Sequence, residues 1–302
     1  MISKAQFGFM ASLDFTRWPP EKVVEVLAEA GYKAVEWTLA HFNPRMKGLA
    51  ELERLVAISH EAGLEVSEVV VQQDLLTTDE FLRRDRATLI EECIRVASHV
   101  GVKILNVFSG PASWESGATR IPEDMGEGEA WNLLLKTYEP LVSMAEKYQV
   151  CLALEPAFKM LCHDYYSTQE LFRRLDSPWL GINLDPSHLT LYRNDVPWVI
   201  RQWAKKIKHV HLKDAVGRVG TPGQDFMFPL LGEGLVPWGE FFKALDEVAY
   251  TGFLSVEFES FAYYSQILQN DPRAAARLSM SQLERLLAAA DKEIYDHGTV
   301  RG

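Results

Sequence analysis

One pattern recurs along the chain and restricts its fold more than any other feature. An amphipathic helix, a glycine or polar stop, and a short apolar run ending in a polar residue follow one another again and again. Pro19 and Pro20 open a helix over residues 21–30 that Gly31 closes, the usual asymmetry of proline at a helix start and glycine just past its end. Residues 32–37 (YKAVEW) then read as a strand. Helices stopping at Gly63 and Gly101 precede the runs 64–71 and 102–108, and a helix over 131–148 leads into 150–155. Helical stretches at 171–175, 199–206 and 238–248 lead into the strands 180–185, 207–213 and 252–259. With an opening strand near residues 5–11, eight strands alternate with helices.

Such alternation means parallel strands joined by crossover helices. Eight units in 302 residues predict a closed (β/α)8 TIM barrel, α/β in class, and a single domain over residues 1–302. An open doubly wound sheet is the alternative, but no GxGxxG follows the first strand. Two connections, 109–129 and 217–237, are longer than a barrel needs and rich in Gly and Pro. Both follow strands, so both are expected on the C-terminal face, where barrel enzymes place their sites, with at least one covering the site.

Composition narrows the function class. Forty-two Asp and Glu against 31 Lys and Arg give a net charge of −11, the wrong sign for a phosphate-backbone binder, so no nucleic-acid partner is expected. The three cysteines, Cys93, Cys151 and Cys162, are odd in number and form no CxxC, which speaks against a disulfide framework or a thiolate zinc site. Neither a signal-peptide core nor a run of about 18 apolar residues is found. The expectation is a cytoplasmic protein without a membrane partner; a homo-oligomer is compatible with the fold.

Four neighbouring strands end in ligand-type side chains: Glu155, then Asp185 within DPSH, His211, and Glu257. Barrel interiors favour branched apolar residues, so charges at strand ends point to the mouth. Three carboxylates converging there would repel one another unless a cation sat among them. Three oxygens and one imidazole suit one divalent ion such as Mn²⁺, Mg²⁺ or Co²⁺, with Mn²⁺ the first expectation and Zn²⁺ compatible. Lys213 follows His211 on the same strand face and is a candidate for a substrate hydroxyl or phosphate, or for pairing with Asp214 or Glu257. His163, in the loop after the fifth strand, is a candidate substrate contact. Glu36 is expected in an ion pair at the barrel rim and His209 as a satisfied core histidine, with Asn106 and Glu259 near the site. Trp37 or Trp114 could stack on a sugar face.

Glu155 in LALEP, Asp185 and His188 in NLDPSH, His211 in HVHLKD, Glu257 in LSVEFE and the later segment PLLGEG, in this order, resemble the xylose isomerase-like TIM barrel superfamily. The branch concerned is that of the sugar and sugar phosphate isomerases and epimerases, and the chain is similar to D-tagatose and D-psicose 3-epimerases. The resemblance implies one divalent metal held by Glu155, Asp185, His211 and Glu257, with Glu155 and Glu257 also serving as catalytic proton-transfer groups. It further implies that His188 and an arginine of the seventh loop hold substrate oxygens; Arg218 is the only arginine in that loop. The implied reaction removes a proton beside a carbonyl of a small sugar, keto-sugar or sugar phosphate, giving a metal-stabilised enediolate. Reprotonation on the opposite face epimerises, and at the neighbouring carbon isomerises. A dehydratase or lyase of the same superfamily, of inosose or dehydroshikimate type, uses the same opening step. An endonuclease IV-like repair enzyme would need further histidines on strands two to four, which end here in Glu36-Trp37, Val71-Gln72 and Phe108-Ser109. A catalytically inactive binding barrel is opposed by the intact Glu-Asp-His-Glu set.

Overall fold

The computed structural model describes residues 1–298, with side chains through residue 292. Residues 299–302 of the expected domain lie outside the described residues. Eight parallel strands close into a barrel. In chain order they are Phe7–Met10, Ala34–Thr38, Glu65–Val70, Ile104–Val107, Cys151–Leu154, Leu180–Leu184, Ile207–Leu212 and Leu254–Val256. Each pairs with its neighbours in sequence, and the eighth closes on the first through Phe7↔Leu254 and Phe9↔Val256. All eight lie within a few residues of their expected places, and the fold is the single-domain TIM barrel.

Local chemistry sets the helix limits. Asp79 caps Glu80–Val100 by accepting from the N–H groups of Phe81 and Leu82, and Gly101, at φ 83°, ends it in the left-handed conformation. Asp164 and Asp195 cap the helices Tyr165–Arg174 and Val196–Trp203 in the same way. The main apolar core fills the space between strands and helices: Phe9, Trp37, Leu152 and Val210 pack with Leu27, Leu55, Ile94, Leu134 and Phe241. Inside the barrel the filling is polar instead. Glu36, Glu68, Asn106, Asn183, His209, His211 and Ser255 are all buried there.

The two long connections differ. The first runs irregularly to the helix Glu127–Tyr148, whereas the second folds into a small antiparallel hairpin, Val216–Gly217 with Phe226–Met227. Asp214, completely buried, anchors that second loop. Its carboxylate accepts from the backbone N–H groups of Ala215, Gly232, Gly234 and Val236 and from Trp238 Nε1, at 2.9–3.1 Å. A Cβ on Gly234 would stand 2.0 Å from Asp214 Oδ1, so the close approach requires glycine. The segment PLLGEG and Trp238 are thereby explained as the partners of one carboxylate. Among the described residues, no helix is long and apolar enough to cross a membrane.

Candidate active site and metal centre

Glu155, Asp185 and Glu257 each follow directly on the fifth, sixth and eighth strands, and His211 sits in the last turn of the pleat of the seventh. One ligand-type atom from each lies within 4.8 Å of the others, and all four residues are buried. His211 Nδ1 is 3.4 Å from Glu155 Oε1 and 3.3 Å from Glu257 Oε2. Asp185 caps the helix Pro186–Leu191: its Oδ1 accepts from Ser187 N–H at 2.7 Å, and proline occupies the first helical turn. Its Oδ2 is left facing the cluster. Glu155 Oε2 accepts from Gln72 Nε2 at 3.0 Å and Asn106 Nδ2 at 2.9 Å, so Oε1 alone faces inward.

This donor set fits a divalent cation. Among the described residues Asp185 Oδ2 and His211 Nδ1 are buried without a hydrogen-bond partner, and Lys213 gives Asp185 Oδ2 an ion-pair contact alone, so both atoms keep capacity for a ligand. Three carboxylate oxygens and one imidazole nitrogen suit Mn²⁺, Mg²⁺, Co²⁺ or Zn²⁺. The field at the centre favours positive charge. Burial works against a charged imidazole, yet Glu155, Glu36 and Glu257 around it raise the His211 pKa well above the usual range. Burial also opposes ionisation of Asp185, but Lys213, His188 and His211 hold its carboxyl well below the usual carboxylate range.

Lys213 lies among the same carboxylates. Its Nζ donates to Glu257 Oε2 at 2.5 Å and Glu259 Oε2 at 2.9 Å, and stands 2.9 Å from Asp185 Oδ2 outside hydrogen-bond geometry. Of the expected partners it takes Glu257, while Asp214 is turned to the loop.

A second cluster lies deeper in the barrel: Glu36, Glu68, His209 and His211 also bring ligand-type atoms within 4.8 Å of one another. Glu36 Oε2 is 3.1 Å from His211 Nε2, and its Oε1 is 3.1 Å from His209 Nε2. Glu36 is therefore not at the rim; its register partner Glu68 places both carboxyls inside the barrel. Burial and the neighbouring Glu36 push the Glu68 carboxyl up to about 8. His209 is satisfied as expected, with Nδ1 3.1 Å from Asn183 Oδ1 and Nε2 3.2 Å from Ser255 Oγ. Asn183 also reaches His211 Nε2 at 3.2 Å.

Above the centre opens a cavity of about 820 Å³. Glu155, Glu257, His188, Lys213 and Gln72 form its polar floor, and Asp185 and His211 do not line it. His188 faces Asp185 Oδ2 at 3.5 Å and packs its ring against Phe158 and Phe228. Both long loops contribute walls, through Trp114 in the first and Phe226, Met227 and Phe228 in the second. Arg218 does not line the cavity; its side chain is exposed on the hairpin. His163 lies outside it too, with Nδ1 2.7 Å from Met160 O and its ring 4.5 Å from that of Tyr192. Trp37 cannot stack on a ligand, because it is fully buried and donates to Ser59 Oγ. Sequence reasoning passed over Asn183, Glu68, Gln72 and Phe158. The signal for the first two is a polar residue facing inward within an apolar strand, Asn183 two positions before Asp185 and Glu68 within SEVV.

Fold and site together define a parallel barrel with a carboxylate–imidazole centre in its C-terminal mouth. The chain belongs to the xylose isomerase-like TIM barrel family, whose model matches residues 24–286. A putative L-ribulose-5-phosphate 3-epimerase of Escherichia coli (strain K12) is 26% identical over 247 residues, covering 79% of this chain and 82% of that protein. A probable ketose 3-epimerase of Synechocystis sp. is 28% identical over 206 residues, 66% of this chain and 64% of its own length. Among solved structures, that of IOLI protein with a binding zinc atom superposes with a TM-score of 0.75 over 94% of this chain and 99% of that one. At 16% identity, that match shows the fold alone.

Proposed function

We propose that the protein is a divalent-metal-dependent sugar isomerase or epimerase, with Glu155, Asp185, His211 and Glu257 as metal ligands. The observation that carries this reading is the convergence of those four side chains beneath a cavity whose floor displays two of them, Glu155 and Glu257. The names of the two relatives, both 3-epimerases, support it. A divalent ion held by these residues supplies a Lewis acid that polarises a carbonyl and an adjacent hydroxyl, acidifying the C–H beside them.

The chain's own groups then divide the work. Glu155 and Glu257 stand on strands five and eight, with His211 between them, so they approach a substrate from different sides. One takes the carbon-bound proton and the other returns a proton to the opposite face, inverting the carbon. Gln72 and Asn106 pin one oxygen of Glu155, fixing the direction of the other. His188 and Lys213 are positioned to hold substrate oxygens, and the apolar walls exclude water from the carbanion-like intermediate.

A dehydratase is the second reading, favoured by Lys213, whose ammonium borders the cavity beside Glu259 and could protonate a departing β-hydroxyl. The deciding experiment loads the purified protein with Mn²⁺ and follows ketoses, ketose phosphates and inososes in D₂O by NMR. Deuterium appearing at carbon, with conversion to an epimer or isomer, is expected. Loss of water from the substrate would establish the dehydratase, and no exchange with any compound would overturn both readings.

A further inference from the structure

The walls of the cavity offer more apolar surface than a single sugar ring covers. Above the polar floor, Phe108, Trp114, Phe158, Phe226, Phe228 and Phe261 face the same space. Trp114 bridges two of the others, with its ring 5.7 Å from Phe108 and 5.5 Å from Phe158. The rim continues in exposed apolar side chains: Trp114 is 51%, Met227 55%, Phe261 57% and Ile267 60% exposed. Large apolar groups left open at the mouth of a cleft mark a surface that awaits an apolar ligand. The cleft, about 820 Å³ out to its open mouth, lies in the range of small-molecule sites.

Charge points the same way. Among the described residues Lys213 is the only Lys or Arg lining the cavity, and its ammonium is already shared among Asp185, Glu257 and Glu259. Glu233 and Glu259 add two carboxylates to the lining. Away from the proposed metal centre, a phosphate dianion entering here would meet acidic side chains and, among the described residues, no uncommitted Lys or Arg of the kind such groups favour.

We propose that the substrate is an uncharged keto-sugar bearing an apolar, preferably aromatic, substituent, such as an aryl keto-glycoside. The sugar ring meets the polar floor, and the substituent lies between Trp114, Phe158 and the Phe261 side of the mouth. This inference rests on the proposed sugar isomerase or epimerase reading and narrows its substrate class.

The test is calorimetric titration of the Mn²⁺-loaded protein with four probes. These are methyl and 4-nitrophenyl 3-dehydro-β-D-glucopyranoside, L-ribulose, and L-ribulose 5-phosphate. The nitrophenyl compound is expected to bind about tenfold or more tightly than its methyl counterpart, the scale of one or two aromatic stacking contacts. L-ribulose 5-phosphate is expected to bind no more tightly than L-ribulose. Trp114→Ala and Phe261→Ala, both at exposed positions, should bring the nitrophenyl-to-methyl ratio toward one. Equal affinities for the two glycosides, no binding of the nitrophenyl compound, or a clear preference for the phosphate would each overturn the proposal. Failure of the underlying reading is seen separately, as absence of solvent deuterium uptake in compounds that nonetheless show the binding preference.

Discussion

Glu36 Oε2 lies 3.1 Å from His211 Nε2, on the edge of the imidazole turned away from Glu155 and Glu257. If a metal replaced the Nδ1 proton on the mouth side, a carboxylate there would keep the Nε2 proton in place and hold the ring in line. This is the carboxylate–histidine pairing that orients metal-binding imidazoles and raises their basicity.

Glu36→Gln keeps the shape of this contact and removes its charge. Metal affinity should fall about tenfold or more while the barrel stays folded, measured by competition with a fluorescent chelator. Wild-type affinity in the variant would show that Glu36 acts only as a buried ion-pair partner.

Glu155→Gln and Glu257→Gln each preserve an oxygen donor but remove the base. Turnover should drop about 10²-fold or more in each, with metal binding partly retained. One variant is expected to keep exchanging the substrate proton with solvent without inverting the carbon, which identifies the glutamate on that face. Unimpaired turnover in either would end the two-base mechanism.

Asp214 gathers five N–H donors of the second long loop, so Asp214→Asn places an amide where only an acceptor fits. The melting temperature should fall by several degrees, and residues 216–237 should become the first site of limited proteolysis. In the wild-type protein, cleavage in that loop or in residues 109–126 should slow when a substrate analogue is bound, because both loops wall the cavity. Equal cleavage in all conditions would remove the case for a closing loop.

Stability should decline on the alkaline side. Burial pushes the Cys93 thiol up to about 12 and the Cys151 thiol up to about 11, and raises Cys162 further. An unfolded thiol ionises near pH 8.5, so above that pH the unfolded chain gives up protons the folded chain keeps. Stability is therefore unaffected by these groups below about 8.5. It falls above that by about 1.4 kcal/mol per pH unit for each buried thiol, until the folded pKa is reached. Urea titrations between pH 8 and 10 read this slope directly. Cys→Ser replacement at these positions should flatten it, and an unchanged slope would assign the decline to other groups.

The barrel was legible because its strands are short apolar runs set off by Gly and Pro, a signal carried by consecutive residues. The mouth was legible because Glu155, Asp185 and Glu257 interrupt those runs where each strand ends. Position across the barrel was not. Nothing near Glu36 or Glu68 in sequence says that a histidine 175 residues away meets the first of them. Loop membership alone points to Arg218, and the hairpin turns it outward. Trp37 lies on the face of its strand that meets the helices, one position from Glu36, which faces inward; alternation separates their fates.

Lys213 acts as a resident counter-ion for the centre. Its ammonium offsets part of the charge on Asp185 and Glu257, two of the four proposed ligands. A divalent ion bound by the proposed ligands would have to share two of their carboxylates with this ammonium. Each carboxylate divided in this way grips the newcomer less firmly than it would alone. Occupancy of such a centre follows the ions available around it, and the fold guards the arrangement of the ligands more closely than the identity of what they hold.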